Sequence, residues 1–125
     1  MINNDPIRNF KDLIAWQEGH KLVKTLYLIT KTFPRDEVFG LISQIKRAAV
    51  SVTSNLAEGF ARETYKDKVR FYYIARGSVI ELENQLLIAK DVGYLSDKDF
   101  HEADSQIQTV QSLINGLIKK SKTFI

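Results

Sequence analysis

Apolar residues return at every third or fourth position in four successive stretches of the chain, which predicts four amphipathic helices. No stretch alternates apolar and polar residues as a half-buried strand would. The connections are only a few residues long, so consecutive helices should run antiparallel. We therefore predict an all-α fold, an antiparallel up-down-up-down four-helix bundle that forms a single domain over residues 1–125. The helices are expected at about residues 12–32, 36–61, 65–92 and 97–119, with a short N-terminal arm and a basic C-terminal tail.

Residues that start and stop helices set these boundaries. We assign Asp12 as the N-cap of the first helix, and Phe33-Pro34 ends that helix because proline disfavours helical geometry in the residue before it. The acidic pair Asp36 and Glu37 marks the start of the second helix, at the positive end of its dipole. Thr64 with Asp67 and Ser96 with Asp99 form capping boxes that open the third and fourth helices. Gly93 ends the third helix.

The first helix carries two apolar stripes, which is more apolar surface than a bundle core needs. One stripe is assigned to the core, and the other, roughly 120° away at about 100° per residue, is our candidate subunit interface. The core stripe is Leu13, Trp16, His20, Val23 and Tyr27, and the interface stripe is Leu22, Leu26 and Ile29. The alternative is that the second stripe packs on the N-terminal arm or on the second helix of the same chain. His20 is predicted to be a hydrogen-bonded core histidine and not a metal ligand.

The sequence offers no recognisable catalytic site. It has no cysteine, which excludes disulfides, thiolate nucleophiles and cysteine-ligated metals. The Glu-x-x-His pairs of di-iron bundles are missing, and Glu81 and Glu83 are two positions apart, so their carboxylates diverge on a helix. We therefore predict that the protein is not an enzyme and uses no cofactor or metal. Because no secretory signal and no apolar run of roughly 20 residues occurs, we expect a cytoplasmic protein that does not span a membrane.

Positive charge is concentrated in one segment of the chain, although the net charge is only +3. Residues 46–76 carry seven Lys or Arg and three Asp or Glu, whereas residues 77–118 carry two and seven. Cations that neutralise phosphates beside rings that stack on unpaired bases are typical of single-stranded nucleic-acid binding. The candidate RNA- or DNA-binding residues are Arg62, Lys66, Lys68, Arg70 and Tyr73, with Tyr65, Tyr72 and Arg76 nearby. The same residues are also expected from snorkelling side chains and interface packing.

A polar motif lies on the second helix beside its core stripe. Arg47, Ser51 and Glu58 share one ridge, with Asn55 closer to the core. Buried polar groups need partners, so we predict hydrogen bonds or ion pairs to another helix. The predicted ion pairs join Arg47 or Arg76 to Glu81 or Glu83.

Three stretches of the chain resemble a known family. They are FKDLIAWQEGHKLVKTLYLIT, FPRDEVFGLISQIKRAAVSVTSNLAEGFAR and IARGSVIELENQLLIAKDVGYL, and the most specific motif is RAAVSVTSNLAEG at residues 47–59. The chain resembles the 23S ribosomal RNA intervening sequence protein family over residues 10–95. The resemblance implies an antiparallel four-helix bundle, a ring-like homopentamer and no enzymatic activity. The residues that match the family motif are Arg47, Ser51, Asn55, Glu58, Gly59, Arg62, Glu81, Glu83, Gln85 and Leu86.

Two interpretations of function follow. A related bundle, the accessory variability protein of diversity-generating retroelements, pairs with a reverse transcriptase and binds nucleic acid through a basic surface. By this resemblance the chain is a non-enzymatic homo-oligomer, a pentamer, that binds RNA or DNA phosphates. The alternative is a protein-protein interaction scaffold with a protein partner in trans and no nucleic acid.

Overall fold

Four long helices pack side by side in the computed structural model, which describes residues 6–125. The helices are α1 Ile14–Ile29, α2 Leu41–Ala61, α3 Tyr65–Asp91 and α4 Asp97–Lys122. Contacts join α1 to α2, α2 to α3, α3 to α4 and α4 back to α1. α1 and α3 therefore occupy diagonally opposite corners, and the predicted all-α four-helix bundle is confirmed. The first five residues of the predicted N-terminal arm lie outside the described residues.

The start of α1 differs from the prediction. Phe10–Asp12 forms a separate 3-10 turn, and Leu13 follows in extended backbone. The Oδ2 atom of Asp12 accepts hydrogen bonds from the backbone N–H groups of Arg8 at 2.9 Å and Asn9 at 3.2 Å. These bonds hold the pKa of the Asp12 carboxyl below its usual range. Asp12 therefore closes the turn before the helix, and its assignment as the N-cap of the first helix is wrong.

The connection between α1 and α2 is longer than predicted. α1 continues as a 3-10 turn over Thr30–Thr32, and a second 3-10 turn covers Arg35–Glu37. α2 begins only at Leu41 because the backbone of Gly40 leaves helical geometry, with φ −110° and ψ −114°. Glu37 still lies near the positive end of the α2 dipole, and its Oε1 accepts a hydrogen bond from the Leu41 N–H at 3.1 Å.

The last two helices begin at the predicted signals, and α3 also ends at one. Thr64 Oγ1 accepts a hydrogen bond from the Asp67 N–H at 3.2 Å and opens α3. Ser96 Oγ does the same for the Asp99 N–H at 3.1 Å and opens α4. Gly93 ends α3 at φ +86°, a left-handed conformation that glycine adopts without strain.

The stripe of α1 predicted for a subunit interface is buried, whereas the stripe predicted for the core is buried only at Leu13 and reaches the surface further along the helix. Leu22 and Leu26 are no more than 1% exposed and Ile29 is 7% exposed, and all three fill the core. Tyr27 is 39% exposed, and Trp16 is only partly buried at the edge of the core. The predicted subunit interface at Leu22, Leu26 and Ile29 is therefore wrong, because these side chains do not reach the surface.

Small residues decide which stripe of α1 turns inward. Ala15 is buried, and a Cβ atom added at Gly19 would lie 3.2 Å from Thr53 Cγ2, so α2 approaches α1 closely on this face. His20 lies on the other side of the helix, where it is exposed and stacks on the Trp16 ring with centroids 4.7 Å apart. The prediction of a core histidine at position 20 is therefore wrong.

The other three helices turn inward most of the side chains that their periodicity predicts. Buried as predicted are Ile45, Ala48, Val52, Leu56 and Gly59 of α2, Ala75, Ser78, Leu82, Leu86 and Ala89 of α3, and Phe100, Ala103, Ile107, Val110 and Ile114 of α4. Leu41, Phe71 and Leu117, which continue the same three- and four-residue spacing, are only partly buried.

Candidate nucleic-acid interface

The predicted basic residues lie at one end of the bundle, where α2 ends, α3 begins and α4 ends. After α2 the chain turns at Arg62, whose N–H is bonded to the Gly59 carbonyl at 3.2 Å. Lys66, Arg70 and Tyr73 follow on α3 at a spacing of four and three residues, which puts them on one outer face of the helix. We call this surface the basic end, and it consists of Arg62, Lys66, Lys68, Arg70, Tyr73, Arg76, Lys119, Lys120 and Lys122.

Aromatic rings hold several of these cations. The guanidinium carbons of Arg62 and Arg70 lie 4.4 and 5.2 Å from the centroid of the Phe71 ring. Lys68 Nζ lies 5.1 Å from the centroid of the Phe60 ring and donates to the Phe60 carbonyl. Partial burial there lowers the pKa of the Lys68 ammonium. Cation-π contacts fix the side chains without cancelling their charge, so these cations remain able to attract an anion.

The last turns of α4 add a second group of cations. Lys122 Nζ donates to the Tyr73 hydroxyl at 2.9 Å, and this hydrogen bond lowers the pKa of the Tyr73 phenol. The guanidinium of Arg76 lies 4.8 Å from the Tyr73 ring centroid and donates to Asn115 Oδ1 at 3.2 Å. α4 stays helical through Lys122, so the basic tail expected after residue 119 continues the helix, and Lys122 is held beside α3.

Exposed rings lie among these cations. Tyr73 is 38% exposed and Tyr65 is 40% exposed, and the Tyr65 ring stacks on that of Phe124 with centroids 4.8 Å apart. Tyr72 is only 2% exposed and belongs to the core, so it is not available to a ligand. Burial, with a smaller contribution from Tyr65, raises the pKa of Tyr72 to about 12.

The basic end has a strong excess of positive charge. Residues 62–76 and 119–122 together carry eight Lys or Arg and only two Asp or Glu. Within the part of the chain that the structure describes, one of these cations contacts a carboxylate: Arg70, whose Nη2 lies 3.9 Å from Asp67 Oδ1. The structure thus brings all five predicted residues to one end of the bundle.

The structure also brings in residues that the sequence interpretation did not assign to this site. They are Phe60, Phe71, Lys122 and Phe124, which supply three rings and a cation. The antiparallel order of the helices already implied that the end of α4 lies beside the start of α3. The helix order could therefore have predicted that Lys122 and Phe124 lie at this site.

The polar motif forms part of the contact between α2 and α3. Ser51 and Ser78 share a hydrogen bond of 2.9 Å between their hydroxyl oxygens. Asn55 Nδ2 donates to the Ser51 carbonyl at 2.8 Å and to its hydroxyl at 3.1 Å. Arg47 and Glu58 point out to solvent. The predicted hydrogen bonding between helices therefore occurs through one serine pair and not through the charged residues.

The predicted ion pairs across this contact are absent from residues 6–125. Arg47 and Glu81 are both exposed. Arg76 donates to α4 instead, and Glu83 Oε2 accepts from Gln108 Nε2 at 2.9 Å. The reason is geometric, because residues two positions apart on a helix point to different neighbours, and Glu83 faces α4 while Glu81 does not.

The described residues contain neither a cluster of metal ligands nor a helix that could span a membrane. Among residues 6–125, no three His, Asp or Glu side chains come close enough together to hold a metal ion. None of the helices that the structure describes is long and apolar enough to cross a membrane. The basic end offers cations and aromatic rings, which bind anions and planar groups.

Comparisons with known proteins agree with the fold and with the resemblance seen in the sequence. A sequence profile of the 23S rRNA-intervening sequence protein family matches residues 11–116. The fold is similar to a crystal structure of a protein with unknown function from the S23 ribosomal protein family of Bacteroides thetaiotaomicron, with a TM-score of 0.77. The two sequences are 18% identical over 85% of this chain and 99% of that chain, so this likeness shows the fold alone. No curated protein matches the chain significantly.

Proposed function

Because the chain belongs to the 23S rRNA-intervening sequence protein family, we propose that it is a self-associating, RNA-binding helical bundle whose ligand is held at the basic end. The observation that carries the RNA-binding part is the juxtaposition of eight cations and two exposed tyrosines on the termini of α2, α3 and α4. Cations neutralise phosphates, and aromatic rings stack on bases that are not paired. Single-stranded or looped RNA is the ligand that offers both groups together.

The surface divides into residues with different roles in binding. Lys66 is exposed and Arg70 points from the same face of α3, so both can reach the phosphate backbone. Tyr73, one turn further on, offers a partly exposed ring beside them. Lys68 and Arg62 are held against rings, and they add to the positive potential of the surface.

Binding of a fluorescent single-stranded RNA, followed by anisotropy at several salt concentrations, tests the RNA-binding part. Affinity should fall steeply with salt because counterions are released from the neutralised phosphates. Replacing Lys66 and Arg70 together by Ala should weaken binding and reduce the slope of log affinity against log salt by about 1.4, or roughly 0.7 for each phosphate contact. Lys90→Ala with Lys98→Ala is the matched control, since it removes the same charge from the opposite end of the bundle, where α3 ends and α4 begins. Binding that ignores salt, or that the control weakens equally, would contradict the proposal.

The self-association part rests on the family resemblance, and the expected pentamer and the relation to the retroelement accessory protein stay predictions. The sedimentation mass of the purified protein tests it directly against the mass of one chain, 14.3 kDa. The alternative function, a protein scaffold without nucleic acid, is favoured by the exposed apolar side chains of α1 and α3. Self-association without salt-dependent RNA binding would support that alternative.

A further inference from the structure

One surface of the bundle far from the basic end combines exposed apolar side chains with unpaired cations. A shallow groove of about 430 Å³ runs along the outer side of the second half of α1, and an adjoining groove of about 350 Å³ continues to the start of α2. Leu28 is 63% exposed and Phe39 is 97% exposed. We call this surface the groove face, and it consists of Lys24, Tyr27, Leu28, Lys31, Phe39 and Lys46.

The lysines of the groove face have no carboxylate partner among the residues that the structure describes. Lys46 Nζ lies 4.7 Å from the centroid of the Tyr27 ring. Within residues 6–125, neither it nor Lys24 nor Lys31 has a carboxylate oxygen within 4.0 Å. In the adjoining turn, the Glu37 carboxylate already accepts hydrogen bonds from the Leu41 N–H and the Tyr94 hydroxyl. An apolar floor with an uncompensated positive rim fits an apolar surface that carries carboxylates.

The second half of α3 offers such a surface. Its outer side exposes Ile80 at 51%, Leu87 at 44% and Ile88 at 43%. Glu81 and Asp91 lie exposed among them, and neither forms an ion pair within the described residues. We call this surface the acidic face of α3, and it consists of Ile80, Glu81, Leu87, Ile88 and Asp91.

The two surfaces lie on opposite sides of the bundle at the same height. α1 and α3 occupy diagonal corners, as their contacts with α2 and α4 show. Both helices run in the same direction, so their second halves lie at the same end. The Tyr94 hydroxyl and Glu37 Oε2, 2.9 Å apart, tie the two connections at that end together. Neither surface can therefore reach the other within one chain.

We propose that the groove face of one copy binds the acidic face of α3 of a second copy. This inference rests on the self-association proposed above and names the surfaces that carry it. Each contact leaves one groove face and one acidic face free at the two ends of the assembly, so further copies add side by side, as a ring where the rotation between neighbours closes and as an open filament where it does not. The basic ends of all copies then lie on the same side of the assembly.

Charge reversal tests this pairing by sedimentation mass. Lys24→Glu with Lys31→Glu should leave the protein at the mass of one chain, and so should Glu81→Lys with Asp91→Lys, because each pair of substitutions sets like charges against each other. Combining all four substitutions in one chain should restore the wild-type mass, since the two surfaces are then complementary again with exchanged signs. Circular dichroism should show unchanged helix content for every variant, as all four side chains are exposed.

Lys66→Glu with Arg70→Glu is the matched control. It reverses two charges on α3 about 16 Å or more from Glu81, at about 1.5 Å per residue, and should abolish RNA binding while leaving the mass unchanged. A four-substitution chain that stays at 14.3 kDa, or pair variants that keep the wild-type mass, would overturn the pairing of these two surfaces. The second outcome would leave self-association intact through another surface. A wild-type protein that sediments as one chain would overturn self-association as well, without bearing on the RNA titration.

Discussion

The basic end and the groove face both concentrate positive charge, but they surround it with different neighbours. At the basic end, Arg62 and Arg70 lie against the Phe71 ring, and Lys122 donates to the Tyr73 hydroxyl. At the groove face, the lysines rim a floor of exposed apolar side chains. Charge alone therefore does not select the partner. Rings beside cations suit phosphates and bases, whereas an apolar floor suits an acidic protein surface.

The net charge of +3 hides this division. The two positive surfaces are offset by carboxylates elsewhere, chiefly on the second half of α3 and the first half of α4. A mutation at one surface should therefore leave the activity of the other unchanged. Substitutions that weaken the support of each surface test this division, and the largest effect on stability is expected in the core.

Leu26 lies on the inner side of the helix that carries the groove face, and it is fully buried. Leu26→Ala should lower the free energy of unfolding by about 2–5 kcal/mol, because the deletion leaves a cavity in the core. Ile14→Ala, at a position of the first turn of α1 that is 61% exposed and lies outside the groove face, should change it by no more than about 0.5 kcal/mol. Urea unfolding followed by circular dichroism measures both. A comparable loss in the two variants would show that the core and outer faces of α1 have been assigned the wrong way round.

Gly59 supports the basic end, where α3 lies close against α2. A Cβ atom added there would lie 2.7 Å from Tyr72 Cε1 and 2.9 Å from Phe71 Cβ, so α3 would have to shift. We expect Gly59→Ala to lower stability by about 1–3 kcal/mol through overpacking. Gly77→Ala is the control, because nothing lies within 4 Å of its added Cβ. It should stabilise α3 by about 0.5–1 kcal/mol, since alanine loses less backbone entropy.

Much of this support could be predicted from the sequence, because the periodicity and the caps of α3 and α4 are local signals. Thr64 and Ser96 each stand just before a helix, and each hydroxyl accepts a hydrogen bond from the N–H three residues later, as expected of an N-cap. The faces of α1 could not be assigned in the same way. Both stripes are apolar, and the choice depends on where α2 and α4 approach. Ala15 and Gly19 marked the close approach, but only the assembled bundle shows which neighbour uses it.

The candidate site shows the same limit. Helical spacing alone placed Lys66, Arg70 and Tyr73 on one outer face of α3. The contribution of Lys122 depends on how far α4 extends, and that extension is favoured by the burial of Ser121 in its last turn. The ion pairs predicted between Arg47 of α2 and Glu81 or Glu83 of α3 do not form, because spacing along one helix does not give the distance to the next.

The N-terminal cap of α3 positions the first turn of the basic end. Thr64→Ala removes the acceptor for the Asp67 N–H and should lower stability by about 1 kcal/mol. Ser96→Ala removes the equivalent cap of α4 at the opposite end and should cost a similar amount. RNA affinity separates the two variants, because only the Thr64 variant loosens the turn that carries Lys66. Equal loss of RNA affinity in both would argue against a ligand site confined to the basic end.

The smallest expected effect is on the ionisation of Tyr73, which reports the contact between α4 and the basic end. The hydrogen bond from Lys122 lowers the pKa of the Tyr73 phenol. Lys122→Met should therefore raise this pKa toward its usual value of about 10. A depressed pKa in the folded state adds stability above the unfolded value, and this contribution is lost as the pH falls through the folded value.

NMR titration of tyrosine labelled at the ring carbon that bears the hydroxyl follows each phenol separately. Tyr72 is the internal control. Burial raises the pKa of Tyr72 to about 12, and the substitution of an exposed lysine does not change that burial. RNA bound at the basic end should raise the pKa of Tyr73 in the wild-type protein, since a nearby phosphate disfavours the phenolate. If neither Lys122→Met nor bound RNA shifts the pKa of Tyr73, this ring contacts neither α4 nor the ligand.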